Sequence, residues 1–582
     1  MPMQNAIHRL VRGLAVPVVA CNGLVMLAGT WSLLDASGST LEVLLDVLIV
    51  ATFTLNLFIA VVGHVLLNHR KNKQASRIQW WFSAHLVGIG LVILGNTLVT
   101  LASMLGYSLG SIFYLSCIII ALVLNVLVHL FPMLACFKLF TITMPGRGET
   151  GAGDEIILSL KLVRDDPSWE FKPGFKKFLK TIGVACILVV FVLSILAPAI
   201  FIPGGADWPS FIAGDLAALL LVALPPCTLM LARHVPRARG GANRALVIAI
   251  ISAGCVLVAF NALPVVQIQS TISSLDAQFA SIYGPSWQAT IPPSPYRPFR
   301  SAPVVFNDFF YTLPLDPVEQ QIDVPYMVHK GQTLRFDWYA PKGTSGTSNM
   351  LPVVVAIHGG SWRLYDKGIY NIMPTQKYIA SLGHVVVDVQ YGLYNEDDAS
   401  PFTLKDMVME IANLTRFIAG NPARFHANVS RTVFLGRSAG AHLALVCGLG
   451  HDNPYFSGNF SVDFDCVGLI PFYPPANLTR FSFFNNSSTA FFGVPYSQFS
   501  YFNPVDLVSP ASPPVLCFQG LSDTLVPPVH SRDLKAAMAA SGGKCIIGEF
   551  PCAGHAFDIF YNYPYNQACI YYMERFLALC TA

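Results

Sequence analysis

The first 268 residues are dominated by apolar stretches too long for the core of an ordinary soluble domain. Seven of them lie near 13–34, 47–67, 79–106, 111–137, 181–202, 208–232 and 245–268. Each has roughly the 20 residues needed to cross a hydrocarbon layer about 30 Å thick. The run SIFYLSCIIIALVLNVLVHLFPMLACF at 111–137 contains no Asp, Glu, Lys or Arg. Residues 1–268 are therefore expected to form an α-helical polytopic membrane domain of about seven transmembrane helices. The first stretch follows Arg9 and Arg12 and lacks a small-residue cleavage site, so it reads as an uncleaved anchor.

The placement of Lys and Arg gives these helices a direction. The N-terminal tail and the segments 68–77, 138–180 and 233–244 hold eighteen of them, whereas 35–40, 107–110 and 203–207 hold none. Basic loops stay on the cytoplasmic side. Seven crossings from a cytoplasmic N-terminus put everything after residue 268 in an extracellular or lumenal space. The sequons agree: Asn413, Asn428, Asn459, Asn477, Asn485 and Asn486 all fall in the C-terminal half. An oxidising compartment would permit disulfides among the seven cysteines there, and the apolar settings of Cys447 and Cys517 predict two buried free thiols. A net charge of +3 with no basic stripe argues against a nucleic-acid partner.

The segment GPSWQATIPPSPYRPFRSAPV marks a proline-rich linker, expected over 269–325. From about 326 to 582 short apolar runs alternate with helical patterns. TLRFDWYAP, LPVVVAIHGG, HVVVDVQYGL, RTVFLGRSAG, CVGLIPFYP, PVLCFQG and KCIIGEF read as strands, and 403–420, 438–449, 528–541 and 565–580 read as helices. That alternation predicts a mainly parallel sheet covered on both faces.

The chemistry-bearing residues sit at the ends of those strands. GRSAG follows one strand and opens a helix, which suits Ser438 as a nucleophile on a sharp turn between Gly436 and Gly440. IHGGSW follows another strand, and the amides of Gly359, Gly360 and Ala439 are the expected oxyanion donors. His358 precedes the nucleophile in the chain and reads as structural. GLSDTLVPP offers Asp523 as the carboxylate that orients an imidazole, and CAGHAFD offers His555 as the base, 32 residues further on. The order Ser438, Asp523, His555 is that of the α/β-hydrolase arrangement.

With HGGSW, GRSAGAHLAL, SPPVLCFQGLSDTLVPP and CAGHAFD, residues 326–582 resemble the α/β-hydrolases of the hormone-sensitive-lipase-like esterase branch. In motif style they are similar to kynurenine formamidase and prenylcysteine methylesterase. The resemblance implies hydrolysis of carboxylic esters through an acyl-enzyme, with no cofactor and no metal. Ser361 departs from the family pattern, standing where the common lipase form has a third glycine. No such resemblance covers the membrane half.

The segment 476–502 carries nine aromatic residues in 27, and reads either as a lid or acyl pocket near a bilayer or as a packed surface loop. The expected partners are a small-molecule or lipid-like ester and the lipid bilayer. Two other functions use the same features. An acyltransferase would pass the acyl group from Ser438 to an acceptor other than water. A receptor or transporter would work through the seven spans and keep the hydrolase fold as a binding module.

Overall fold

Strands form where β-branched residues crowd together. VVVDV at 385–389 and LPVVVAI at 351–357 offer side chains that pack well on a pleated surface and lose rotamer freedom in a helix. In the computed structural model the described residues are 190–195, scattered positions from 217 to 232, 241–305, 308–309 and 317–582. The first four expected membrane spans lie outside them.

Eight strands build one sheet in the order β1-β2-β4-β3-β5-β6-β7-β8. They are β1 (Val318–His329), β2 (Gln332–Pro341), β3 (Leu351–Ile357), β4 (Val385–Val389), β5 (Ala427–Arg437), β6 (Cys466–Phe472), β7 (Val515–Gly520) and β8 (Cys545–Phe550). β1 and β2 pair antiparallel, β2 joins β4 antiparallel, and every pairing from β4 through β8 is parallel. The two faces follow the period of two along each strand. Val353, Val355 and Ile357 enter one core with Val385, Val387 and Phe434, while Val354, Ala356, Val386 and Leu435 enter the other.

Helices cover both faces. On the first lie α3 (Leu404–Ala419), α4 (Ala439–Gly450) and α5 (Val529–Ala540), through residues such as Met407, Leu443 and Leu534. On the second lie α1 (Gly241–Tyr283), α2 (Met373–Ser381) and α6 (Pro564–Thr581), through Leu275, Ile379 and Tyr572. Thr403 and Asp406 form a reciprocal capping box that starts α3.

The 43-residue α1 does two things at once. Its first half, with Leu246, Ile248 and Val256, is apolar and exposed. It is the one helix among the described residues long and apolar enough to cross a membrane, with a mean hydropathy of 2.5 over its most apolar 18 residues. One face of its second half is buried against the edge of the sheet. Gln278 Nε2 donates to the Ile547 carbonyl at 2.9 Å, and its Oε1 accepts from the Ile547 amide at 3.0 Å. An open edge strand is a template for aggregation, and here a helix side chain closes it. Helical residues at 190–195 and the described helical positions between 217 and 232 pack beside α1: Asn261 Nδ2 donates to the Ser194 carbonyl, and a side chain at Gly254 would collide with Thr228.

The boundaries expected for the linker differ from those observed. α1 continues to Tyr283, so 269–283 is helix, and β1 begins at Val318, inside the segment read as a spacer. Apolar Ile272, Leu275 and Phe279 recur on one face and enter the core shared with Tyr572, whose ring lies 5.6 Å from that of Phe279, which draws the helix onward. What remains between them includes a short helical turn, Trp287–Thr290, and Arg300 paired to Asp308 at 2.6 Å. All seven cysteines of the C-terminal half are free thiols, with Cys447 and Cys517 fully buried.

Candidate active site

The parallel strands all end at the same edge of the sheet, and the loops leaving that edge carry the candidate residues. Ser438 sits between β5 and α4 with φ of 54° and ψ of −121°, a strained conformation for a residue with a side chain. Its amide donates to the Phe472 carbonyl at 3.0 Å, which fixes the turn to β6. The turn is closed so tightly that a Cβ at Gly436 would strike the backbone of Gly440, and one at Gly440 would strike the Ile357 and His358 carbonyls. Only glycine fits at both positions.

The structure brings Ser438, His555 and Asp523 together. His555 Nε2 lies 2.9 Å from Ser438 Oγ, and its Nδ1 lies 2.8 Å from Asp523 Oδ2. A carboxylate only accepts, so Nδ1 carries the ring proton and Nε2 offers its lone pair to the serine hydroxyl. Asp523 is itself held: its Oδ1 accepts from the Leu525 and Val526 amides at 3.0 and 2.9 Å, and Gln519 Nε2 reaches its Oδ2 at 3.3 Å. Asp523 and His555 are both buried.

The expected oxyanion loop lies against Ser438. A Cβ on Gly359 would stand 3.2 Å from Ser438 Cβ. Gly360, Ser361 and Trp362 follow with φ of 112°, 54° and 61°, a run of left-handed residues that turns the loop around the serine. Ala439, Ser361 and Trp362 line the cavity beside Ser438, and Gly359 and Gly360 are half-buried in the loop that leads to it. His358 is buried and pushed down to about 4 by desolvation; its Nδ1 meets the Gly359 carbonyl and its ring stacks on Tyr391 at 4.3 Å. It supports the loop and lies outside the Ser438–His555–Asp523 chain.

The cavity beside Ser438 encloses about 330 Å³. Its walls are mostly apolar: Trp362, Pro475, Phe481, Phe483, Phe491 and Val526. Three of these aromatics come from the segment 476–502, which packs over the site through ring contacts such as Phe491 with Trp362 at 5.5 Å. Asn485 and Asn486 are exposed on this segment, and the other four sequon asparagines are half-buried. Asn477 donates to Asp533 Oδ2 at 2.7 Å.

Three residues near the site were not read from the sequence. Arg437, the residue before Ser438, donates through Nε to Asp558 Oδ2 at 2.7 Å. Asp558 Oδ1 accepts from the Tyr473 hydroxyl at 2.7 Å, and the Tyr473 ring lies 4.5 Å from that of His555. A charged residue between two glycines at the end of an apolar strand, and an aspartate three residues after the histidine, were the available signals.

A mainly parallel sheet in this strand order, with these loops at its C-terminal edge, makes the C-terminal half an α/β-hydrolase fold. Residues 336–538 match the family model BD-FAE. The chain is 26% identical to "Esterase LipQ" of Mycobacterium tuberculosis, over 41% of this chain and 58% of that protein. It is 25% identical to "Isoprenylcysteine alpha-carbonyl methylesterase ICME" of Arabidopsis thaliana, over 40% of this chain and 55% of that protein. The chain thus spans little more than half the length of the curated relatives it matches. Among solved structures it is similar to the butyrate-bound esterase Est2 of Thermogutta terrifontis, 20% identical, covering 45% of this chain and 94% of that one with a TM-score of 0.38.

Proposed function

We propose that this chain is a membrane-bound serine hydrolase that cleaves carboxylic esters through an acyl-enzyme. The observation that carries the reading is the hydrogen-bonded chain Ser438–His555–Asp523 opening onto an apolar cavity. Ser438 Oγ attacks the ester carbonyl as His555 Nε2 takes its proton, and Asp523 stabilises the resulting imidazolium. The Ala439 amide, with donors from the loop 359–361, holds the oxyanion. The alcohol departs with the proton from His555. Water, deprotonated by the same nitrogen, then releases the acid. The esterase names of the matched relatives support this chemistry.

The length and hydropathy of α1 support membrane attachment, and the lysine and arginine distribution supports a hydrolase domain on the extracellular or lumenal side. Exposed Asn485 and Asn486 are the sequons best placed for glycosylation on that side. The test is labelling of cells with a membrane-impermeant fluorophosphonate, before and after permeabilisation, with wild type and Ser438→Ala. Labelling of wild type alone is expected; equal labelling of the variant would remove Ser438 from the mechanism. Label that needs permeabilisation, on a chain insensitive to glycosidase, would reverse the orientation.

A further inference from the structure

The long helix and the outermost strand run in opposite directions, and their contacts can be followed step by step. Tyr283 lies beside Lys544, with Nζ 5.3 Å from the ring centre. Gln278 meets Ile547, Thr271 Oγ1 donates to the Glu549 carbonyl at 2.6 Å, and Gln267 Oε1 meets Cys552 Sγ at 3.3 Å. Moving back along α1 therefore means moving toward the C-terminal end of β8 and into the loop that carries His555. From Gln267 the helix continues to Arg244 past that end. These 23 residues span about 35 Å at ~1.5 Å each, enough for a bilayer core. Exposure of apolar side chains starts at the same level, for Val266 is 67% exposed.

From this register we propose that the catalytic edge of the sheet faces the bilayer entered by α1, and that the substrate is an amphipathic ester taken from that membrane. The inference rests on the hydrolase reading above and adds the source of the substrate.

Two independent features agree. The His555 loop touches the membrane segment directly: Cys552 packs against Ala217, Leu220 and Leu224, which lie in the expected span 208–232. The loops of the catalytic edge also display large apolar side chains to the outside. Leu364 and Tyr365 follow β3, Leu525 follows β7 and Ile559 follows β8, all of them exposed. Leu525 lines the cavity as well, so one side chain joins the outer apolar surface to the chamber beside Ser438. Exposed leucine, tyrosine and isoleucine around a cavity mouth are costly in water and favourable at an acyl-chain boundary.

The test uses the full chain in phosphatidylcholine vesicles. 4-Methylumbelliferyl oleate is placed either in the enzyme-bearing vesicles or in separate enzyme-free vesicles added to them, and p-nitrophenyl butyrate serves as the water-soluble ester. The expected result is cleavage of the butyrate and prompt cleavage of the oleate from the shared bilayer, rising in proportion to its mole fraction. The same oleate supplied in separate vesicles should show a lag set by lipid exchange. Equal initial rates from shared and separate vesicles, or butyrate cleavage with none of the oleate, would overturn membrane delivery and leave the hydrolase intact. Failure to cleave either ester, together with failure of Ser438 to take a fluorophosphonate, would overturn the hydrolase itself.

Discussion

Arg437 and Asp558 form a buried ion pair at 2.7 Å that joins the residue before Ser438 to the loop of His555. Both groups are removed from water, so each depends on the other for compensation. The pair therefore holds Ser438 and His555 in mutual register from behind, while Tyr473 extends the contact to the imidazole face. Asp558→Ala leaves a buried guanidinium uncompensated and should cost about 3–5 kcal/mol of stability. Denaturant titration followed by tryptophan fluorescence checks this. Substitution of both partners by apolar residues of similar volume should recover a substantial part of the loss.

The hydrogen-bond chain predicts unequal losses of activity. Asp523→Asn keeps the shape but favours the wrong imidazole tautomer, and kcat should fall about 10⁴-fold. Ser438→Ala and His555→Ala should each fall further, and combining them should add little, because the groups act as one unit. Turnover of p-nitrophenyl butyrate measures all four variants.

The sheet edge closed by α1 predicts where this domain can be cut. A chain beginning at residue 284 would uncover the Ile547 amide and carbonyl together with the Leu275 and Phe279 contacts. Such a chain should aggregate on expression, whereas one beginning near residue 267 should keep the edge closed. Within the full chain, Gln278→Ala should cost about 1–3 kcal/mol through the unsatisfied backbone groups. Size-exclusion profiles and thermal midpoints distinguish these outcomes.

Cavity size predicts acyl preference. Phe491 and Trp362 meet edge to face across the wall of the chamber. Phe491→Ala should enlarge the space and move the preferred p-nitrophenyl ester toward longer acyl chains, with kcat/KM for the longer ester rising about tenfold relative to butyrate. An unchanged chain-length profile would place the acyl group elsewhere.

Glu410 predicts a pH dependence of stability. Burial raises its carboxyl from 4.5 to about 7, against the opposing hydrogen bonds from the Gly392 amide and His329. The folded state thus binds more protons than the unfolded chain between those values. The stability due to neutral Glu410 is complete below the lower value and is lost as pH rises through the upper one. Glu410→Gln should remove that slope, making the variant more stable relative to wild type by roughly 3 kcal/mol at pH 8 than at pH 4. Denaturation midpoints of both proteins across this range provide the measurement.

Seven of the eight strands and four of the six helices numbered here stand where hydrophobic periodicity puts them, because their patterns are local. β1 escaped notice because VEQQIDVPYMVH carries Pro325 and two register shifts, features tolerated at a sheet edge but unlike a regular alternation. α2 was missed because MPTQKYIAS is short and its polar Thr375 and Gln376 are buried, which breaks the apolar stripe. The apolar pattern of the helix 241–283 ends near 268 because residues 269–283 mix polar and apolar positions, and packing on Tyr572 explains their helical continuation.

Sequence alone sets the order of the candidate nucleophile, acid and base, since strand, turn and helix signals around each of them are local. It also determined the long apolar runs of the first 268 residues and the segments between them where Lys and Arg gather. Tertiary structure decided what depends on residues far apart in the chain. It set the 2.8 and 2.9 Å contacts of His555, the Arg437–Asp558 pair and the walls of the cavity. It also decided the register of α1 on β8, because Gln278 and Ile547 are 269 residues apart and no local pattern records which helix will close a strand edge.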